Sequence, residues 1–274
     1  MARIAIDLGG TNLRVARVTT EGIERLVAEP CKAQGTEQEV MDQILELIGQ
    51  LFDEEVDRIG AAVPSVVDFT TGVVYDVVNI PSWKKVPLKD ILEDNFHVPA
   101  KVDNDVNCFA AAEKAFGSGR PFDDFVGITL GTGVGAGIVA DGKVYRGANT
   151  GAGEVGCLPY LDSNYEAYTS SQLFKRWHTT GADESRRADS GDTEALTHWH
   201  ELGHHLGKLL QALLYVYDPE AIIIGGGIAQ SHRHFDTSMR ASLTEGFLYP
   251  KEAKDVKIIF STLKDSNLLG ASQL

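Results

Sequence analysis

The stretch IAIDLGGTNLRVARV, residues 4–18, decides the fold of this chain. Its apolar runs predict two β-strands, the first ending at the glycines and the second beginning at Leu13, joined by a sharp corner. Glycine at a corner lets the backbone come close to a ligand, and successive free N–H groups can cradle an anion. Thr11 adds a hydroxyl donor. The carboxylate of Asp7, just before the corner, either holds Mg²⁺ against a phosphate oxygen or bonds the N–H groups of the turn.

The same pattern returns near the middle of the chain. IAIDLGGT, which begins at Ile4, aligns with VGITLGTG, which begins at Val126, and each copy reads as strand, glycine corner, strand. The repeat predicts two lobes of similar build, each offering one corner. A third glycine cluster follows the buried strand AIII. Together the clusters supply the candidate cofactor-binding residues: Gly9, Gly10, Thr11, Gly131, Thr132, Gly133, Gly225, Gly226 and Gly227.

Each glycine cluster taken alone also fits a tight turn. None has the spacing G-x-G-x-x-G at the start of a helix, and none reads G-x-x-x-x-G-K-[ST]. Neither a dinucleotide-binding dehydrogenase nor a P-loop ATPase is therefore indicated. Because predicted strands alternate with helices along the chain, the fold class is α/β. A capping box of Thr36 and Glu39 predicts one helix start, and a long helix is predicted over residues 193–217.

The composition restricts the class of protein. A chain of 274 residues, 43% hydrophobic and 23% charged, is typical of a globular protein large enough for two lobes. Its net charge of -14 argues against a nucleic-acid partner, because nucleic-acid-binding surfaces need clustered Lys and Arg. The N-terminal segment has the pattern of neither a signal peptide nor a membrane span. Three scattered cysteines form no disulfide framework, so a reducing, cytoplasmic location is expected.

The segment NDVN, residues 104–107, lies where a predicted strand meets a predicted helix. Asp and Asn are favoured at helix N-termini, so a capping role is one interpretation. The other makes Asp105 the base that accepts the proton of a substrate hydroxyl during phosphoryl transfer. The positive end of the helix dipole favours the ionised carboxylate, which suits this role.

Residues 200–207, HELGHHLG, match the H-E-x-x-H signature of zinc proteases, in which two His bind the metal and Glu is the base. A catalytic zinc needs a third protein ligand. The extended form of the motif would place it at the position of Leu210, and Glu220 lies in a turn before a strand. His200 and His204 fall on the polar face of a predicted amphipathic helix. A solvated helix face is therefore favoured over a metalloprotease.

Taken in order, the motifs resemble the ROK family of sugar kinases and repressors, within the hexokinase–actin ATPase superfamily. IAIDLGGTNLRVARV is similar to the first phosphate motif of the family, VDNDVNCFAAAE to its catalytic segment, and ITLGTGVGAGIV to its second phosphate motif. AAVPSVVD with TGVVYDVVNI resembles the sugar-side segment, GANTGAGEVG the G-x-x-G-x-x-G-E-I-G segment, and DPEAIIIGGGIAQS the adenosine motif. The ordered matches cover nearly the whole chain.

The resemblance implies a two-lobed actin-like ATPase (ribonuclease H-like) α/β fold with a cleft between the lobes. The first lobe would comprise residues 1–115 and 265–274, and the second lobe residues 116–264. The implied reaction is phosphorylation of a hexose by ATP with Mg²⁺, with glucose as the first choice of substrate and the 6-hydroxyl as acceptor. The resemblance also implies a homodimer.

The resemblance also implies roles for individual residues. Asp105 becomes the catalytic base, and Asp7 handles Mg²⁺ and phosphate together with the glycine corners. The implied sugar ligands are Asn79, Asn104, Glu154 and Glu166.

Two departures from the family pattern concern zinc. The family His after G-E-I-G, which contacts sugar and commonly ligates zinc, is replaced by Cys157. The cysteine-rich motif that follows reads LPYLDSNYEAYTSS here, which keeps Glu166 but no cysteine. One cysteine cannot make a four-ligand structural zinc site. We therefore expect no zinc, and a shortened loop packed by Leu158, Tyr160 and Tyr165.

A sugar sensor or regulator that binds sugar without turnover is the alternative from another class. The repressor branch of the family carries an N-terminal helix-turn-helix, for which this chain has no room before its first phosphate motif. Asp7, Asp105 and both glycine corners form a complete phosphate apparatus, which a sensor does not need. A kinase is therefore favoured.

Overall fold

The computed structural model describes residues 1–274, the side chain of Glu252 excepted. It divides into two compact units: residues 1–120, 144–152 and 263–274 form the first, and residues 121–143 and 153–262 form the second. The lobes expected from the sequence, 1–115 with 265–274 and 116–264, differ from these units mainly at 144–152. That segment packs with the first unit, where Arg146 pairs with the buried Asp103 at 2.7 Å.

The first unit is built on the sheet that begins with the opening stretch. Its elements are, in chain order, β1 (Ala2–Leu8), β2 (Asn12–Thr19), β3 (Gly22–Pro30), α1 (Glu37–Gly49), β4 (Val56–Val63), β5 (Val66–Asp68), β6 (Val73–Tyr75), β7 (Lys85–Pro87), α2 (Leu88–Phe96), β8 (Ala100–Asn104) and α3 (Asp105–Phe116). The main sheet has the order β3-β2-β1-β4-β8, and β5, β6 and β7 form a small antiparallel sheet. The predicted capping box of Thr36 and Glu39 is present at the start of α1.

The second unit repeats this plan. Its elements are β9 (Phe125–Leu130), β10 (Val134–Ala140), β11 (Lys143–Tyr145, of which only Lys143 belongs to this unit), β12 (Pro159–Tyr160), β13 (Ser163–Asn164), α4 (Glu166–Thr169), α5 (Ser171–Arg176), α6 (Gly181–Asp189), α7 (Thr193–Tyr217), β14 (Ala221–Gly225), α8 (Asp236–Thr244), α9 (Glu252–Asp255) and β15 (Lys257–Phe260). In the main sheet of this unit the strands β10, β9, β14 and β15 are neighbours in that order, and β12 pairs with β13 in a hairpin.

The strand pairing confirms the repeat that the sequence predicts. In the first sheet β1 is antiparallel to β2 and parallel to β4, which is in turn parallel to β8. In the second sheet β9 is antiparallel to β10 and parallel to β14, which is parallel to β15. Each glycine corner therefore joins the same two strands of an equivalent sheet. The fold class is α/β, as the alternation of elements predicts.

The two faces of the first sheet differ in side-chain size. Ile4 and Ile6 of β1 lie in a large aliphatic core, whereas Ala5 lies in a second core on the other face. Small residues on that face leave room for helices to approach closely. The C-terminal helix α10 (Ser266–Ala271) belongs to the first unit, and its Leu268 is buried there together with Cys108 of α3.

Helices α7 and α8 of the second unit pack closely because α7 carries two glycines. A Cβ added at Gly207 would lie 2.5 Å from the carbonyl oxygen of Met239 and 2.6 Å from Cβ of Ser242, and one added at Gly203 would overlap Ser238. Side chains at these positions would force the helices apart. The Gly207 that extends the match to the zinc-protease motif therefore serves helix packing.

Candidate active site

Asp7 lies at the end of β1, where two side chains orient its carboxylate. Its Oδ2 accepts hydrogen bonds from Nε and Nη2 of Arg14 at 3.0 and 2.6 Å, and its Oδ1 accepts one from Asn267 at 3.2 Å. Nη1 of Arg14 also donates to Asp265 at 2.7 Å. Burial by itself would lower the pKa of Arg14, but the bonds and charges of Asp7 and Asp265 raise it above its ordinary value. Arg14 is therefore a permanent cation that fixes Asp7.

Asp7 fits the chemistry of a magnesium ligand. Mg²⁺ is usually held through one or two carboxylates together with substrate phosphates. Oδ1 of Asp7, whose bond to Asn267 is long, has lone pairs left for such a metal. The alternative role of Asp7 was to accept hydrogen bonds from the N–H groups of the turn. The N–H of Gly9 instead donates to the backbone carbonyl of Asn12 at 2.9 Å.

Asn79 lies beside the first glycine corner. A Cβ added at Gly10 would overlap the Asn79 side chain, so glycine is needed for this approach. Thr11 and Asn79 are both exposed. The structure thus brings one of the implied sugar ligands next to the first candidate phosphate site.

Asn104 and Asp105 stand where β8 ends and α3 begins. Oδ1 of Asn104 accepts the backbone N–H of Val106 at 2.8 Å, which is a helix N-cap, and its Nδ2 donates to the carbonyl of Ser65 at 3.1 Å. The capping interpretation therefore holds for Asn104, which still has one lone pair and one N–H for a ligand. Asp105 is the first residue of α3 and is partly exposed.

A buried carboxylate next to this segment has no role in the sequence analysis. Asp103, 1% exposed, is the second-last residue of β8 and accepts hydrogen bonds from the backbone N–H of Asn104 at 2.8 Å, from Asn107 at 2.9 Å and from Arg146 at 2.7 Å. Three donors satisfy the buried charge, as burial of a carboxylate requires.

The charged side chains near the start of α3 influence the buried thiol of Cys108. Burial raises its pKa well above the ordinary value, and the charges of Asp103, Asp105 and Asp7 raise it further, while Arg146 lowers it. All four side chains therefore act on one buried thiol of α3. The first unit brings the proposed base and the proposed metal ligand into one electrostatic neighbourhood.

Glu166 packs against the second glycine corner. A Cβ added at Gly133 would overlap Oε2 of Glu166, and the backbone N–H of Val134 donates to that oxygen at 3.4 Å. Oε1 of Glu166 accepts a hydrogen bond from Nε2 of Gln172 at 2.6 Å. The N–H of Ser171 donates to the carbonyl of Gly131 at 2.9 Å. The second unit thus joins an implied sugar ligand to the second candidate phosphate site.

Glu154 and Cys157 lie in the same neighbourhood of the second unit. Glu154 is exposed and precedes a short 3₁₀ turn, Val155–Cys157. The pKa of the Cys157 thiol is raised by partial burial and then by the charges of Glu154 and Glu166. Both glutamates are therefore close enough to Cys157 to act on it.

The third glycine cluster follows β14, which lies beside β9. Gly226 has a φ of +91°, a conformation that favours glycine, and an added Cβ would overlap the backbone of Leu130. A 3₁₀ segment, Ile228–His234, continues from the cluster. The second and third clusters thus stand at the ends of adjacent strands of one sheet.

The histidine segment that matches a zinc protease lies on α7. His200 is exposed, whereas His205 is buried and its Nδ1 lies 3.0 Å from the hydroxyl of Tyr160. Burial is the main cause that lowers the pKa of His205. Among the residues that the structure describes, no group of three His, Cys, Asp or Glu side chains could hold a metal ion. The burial of His205 and its contact with Tyr160 were not predicted from the sequence.

The loop where the family pattern has cysteines contains a tyrosine cluster. Tyr160 and Tyr165 stack with their ring centroids 4.3 Å apart and pack on the core of the second unit. Burial raises the pKa of Tyr160 to about 12, with a smaller contribution from Tyr165 and Tyr168. The expectation that Leu158 helps to pack the loop was wrong, since it is 41% exposed.

Comparison with known proteins decides the family. The model described as "ROK family" matches residues 3–274 of the chain. This chain belongs to the ROK family. The ROK protein is 28% identical to the glucokinase of Thermotoga maritima, across 99% of this chain and 96% of that protein. It is 27% identical to the xylose repressor of Bacillus spizizenii, across 79% of this chain and 60% of the repressor.

A solved structure of similar fold belongs to a ROK family glucokinase from Streptomyces griseus, in complex with glucose and AMPPNP. That structure is 26% identical, has a TM-score of 0.85, and is matched over 100% of this chain and 98% of its own. The similarity confirms the two-lobed actin-like ATPase fold that the resemblance implies. In the described part of the ROK protein, every helix is too short or too polar to span a bilayer.

The residues that hold the candidate site residues in place were not predicted from the sequence. These are Asp103, Arg146, Gln172, Asp265 and Asn267. A charged residue near the end of a buried strand, such as Asp103 in KVDND, is a usable signal, because a buried carboxylate needs a partner. The residues around Asp103 in the sequence do not indicate that its partner is Arg146, 43 positions away.

Proposed function

We propose that this ROK protein phosphorylates a hexose with ATP, with glucose as the first substrate and its 6-hydroxyl as the acceptor. The protein is a sugar kinase, and the finer statements about substrate, position and residues are the proposal. The position of Asp105 carries it: the residue stands at the start of α3, two residues after Asp103, which is in register with Asp7 across β4 through Ala62. The glucose and AMPPNP in the Streptomyces griseus glucokinase support the choice of glucose and ATP.

In the proposed step the sugar hydroxyl oxygen attacks the γ-phosphorus of ATP. A new bond forms between the hydroxyl oxygen and this phosphorus, and the bond from the phosphorus to the β,γ-bridging oxygen breaks. The hydroxyl proton goes to the carboxylate of Asp105, and ADP leaves with the electron pair of the broken bond. Such a transfer needs positioning and charge stabilisation more than a strong base.

The other candidate residues divide between sugar and phosphate. Asn79, Asn104, Glu154 and Glu166 are proposed to bind the sugar hydroxyls. The two glycine corners are proposed to bind the phosphates of ATP through Gly9, Gly10, Thr11, Gly131, Thr132 and Gly133. The third glycine cluster, Gly225, Gly226 and Gly227, is proposed to lie against the nucleotide. Mg²⁺, when bound through Asp7, would neutralise charge on the phosphate oxygens.

The proposal includes no structural zinc. Cys157 is the single cysteine in the loop that follows Glu154, and Tyr160 and Tyr165 of that loop stack on each other. Elemental analysis of protein purified without added metal checks this, and about one zinc per chain would contradict it. A homodimer and the lack of a nucleic-acid partner belong to the proposal as well.

An ADP-release assay with Mg-ATP tests the function across a panel of hexoses and N-acetylhexosamines. Turnover on one sugar is expected, and Asp105→Asn should lower kcat by roughly 10²–10⁴-fold, the usual contribution of a general base. The amide keeps the shape of the carboxylate, so sugar binding should persist in the variant. A variant with wild-type kcat would refute Asp105 as the base.

The same assay separates a kinase from a sugar sensor. The relation to the xylose repressor makes binding without turnover the outcome to exclude. Sugar binding measured by calorimetry, with no ADP released on any sugar, would identify a sensor.

A further inference from the structure

Asp103, two residues before the proposed base Asp105, forms a buried ion pair with Arg146. Asp103 and Arg146 meet at 2.7 Å, with the Asp103 side chain 2% exposed and the Arg146 side chain 22% exposed. The two residues are 43 positions apart in sequence, and both belong to the first unit. A pair of this kind is costly to desolvate, so its presence beside the site calls for a physical reason.

Asp103 accepts hydrogen bonds from residues on both sides of Asp105, from a backbone N–H before it and from a side-chain amide after it. Its Oδ1 accepts the N–H of Asn104, the residue before the base, and Nδ2 of Asn107, the residue two positions after it. These bonds fix the path of the chain from the last residue of β8 into the first turn of α3. The direction of the Asp105 side chain depends on that backbone path.

Arg146 in turn holds Asp103. Its guanidinium lies 3.7 Å from the ring centroid of Phe69, which sets its plane, and its Nη1 donates to the carbonyl of Val144 at 3.2 Å. Nε then donates to Oδ2 of Asp103, which leaves Oδ1 for the two bonds around the base. Without Arg146 the Asp103 charge would be buried, unpaired and next to a second carboxylate.

We infer that Arg146 and Asp103 are a positioning pair for the base: Arg146 fixes and neutralises Asp103, and Asp103 aims Asp105 at the sugar hydroxyl. The inference rests on the proposed function. Neither residue of the pair takes part in proton or phosphoryl transfer. Misplacement of a reacting group by about 1 Å can lower a rate by roughly 100-fold, so the effect on catalysis is expected to be large.

A second buried arginine of the same unit provides the matched control. Arg17 is 5% exposed and pairs with Glu24, Asp53 and Glu55 at 2.6–2.8 Å. None of these residues belongs to the candidate site. Arg17→Gln should therefore destabilise the first unit while leaving the kinetics unchanged at temperatures where the variant is folded.

The test compares Arg146→Gln with Arg17→Gln, after wild type and Asp105→Asn have been assayed on the preferred sugar. Arg146→Gln is expected to lower kcat by roughly 10–100-fold, with the sugar KM changed less than about threefold. The double variant Asp103→Asn/Arg146→Gln should recover much of the lost kcat. The amide oxygen that replaces the carboxylate can still accept both bonds around the base, and no unpaired charge is left.

Four results would overturn the inference. Arg146→Gln with wild-type kcat and a stability loss like that of Arg17→Gln makes the pair structural only. A double variant no better than Arg146→Gln removes the neutralising role. If Arg146→Gln does not fold, Arg146→Lys decides: lysine keeps the charge but not the stacked plane, so kcat should fall several-fold, and wild-type kcat contradicts the inference. Wild type inactive on every sugar overturns the proposed function and this inference with it.

Discussion

Cys157 connects the chemistry of a single residue to the proposed sugar site. Its side chain is exposed, whereas Cys108 is buried. Partial burial and the charges of Glu154 and Glu166 raise the pKa of its thiol. Because the thiolate is the reactive form, a raised pKa means less thiolate at a given pH and slower alkylation.

We therefore expect Cys157 to react slowly with iodoacetamide at pH 8, and the rate to rise about tenfold per pH unit while the pH stays below its pKa. Glu154→Gln should speed the reaction at fixed pH, since it removes one of the charges that raise the pKa. Saturating substrate should slow it if Glu154 and Glu166 bind sugar. Mass spectrometry of the labelled peptide gives the rates, with Cys157→Ser as the blank. A rate that neither Glu154→Gln nor sugar alters would contradict this placement of the sugar site.

At the scale of elements, α7 carries a sequence motif typical of a metal site, but the glycines of that motif allow close packing against α8. The pattern HELGHHLG fits a metal-binding helix, but its two glycines face α8, and the hydroxyl of Ser242 donates to the carbonyl of His204 at 2.7 Å. Gln211, one turn further along, donates to the carbonyls of Ser242 and Leu243 at 3.0 and 2.9 Å. These carbonyls end α8, where no helical N–H is available for them.

Gly207→Ala should destabilise the second unit by about 1–3 kcal/mol, because the added methyl group enters space already filled by α8. The matched control is Gly49→Ala at the end of α1, where an added Cβ meets nothing within 4 Å. That variant should be neutral or more stable by up to about 1 kcal/mol, since alanine restricts the unfolded chain. Denaturant unfolding measures both. Equal stabilities for the two alanine variants would show that α7 and α8 are not this closely packed.

The elements that could be predicted are those with a local cause. The glycine corners, the capping box of α1 and the end of α7 at Asp218 all follow from residues within a few positions of each other. The contacts that orient the candidate residues join distant parts of the chain: Arg14 and Asp265 are 251 positions apart. Such a pairing depends on how whole elements pack, and nothing in the residues next to either partner reveals it.

At the scale of the whole molecule, each unit has its own hydrophobic core. Trp83 lies at 0% exposure in the core of the first unit, and Trp199 at 0% exposure in the core of the second. The chain passes from one unit to the other after residues 120, 143, 152 and 262. Separate cores in one chain are the condition under which units lose stability separately.

Single-tryptophan proteins can test whether they do. The chain has three Trp residues, so replacing Trp177 and one of the others by Phe leaves Trp83 or Trp199 as the reporter of one unit. Leu268→Ala and Leu209→Ala remove equally buried leucines, one from each unit. Each should cost its own unit about 2–5 kcal/mol through lost burial and the cavity left behind.

Denaturant unfolding followed by fluorescence should then show a crossed pattern. Leu268→Ala should lower the midpoint reported by Trp83 and leave that reported by Trp199 unchanged, and Leu209→Ala should do the reverse. The reason is that each leucine contacts a core that belongs to one unit only. If both variants shift both midpoints by the same amount, the two units unfold as one cooperative molecule, and stability measured on any one residue then applies to the whole chain.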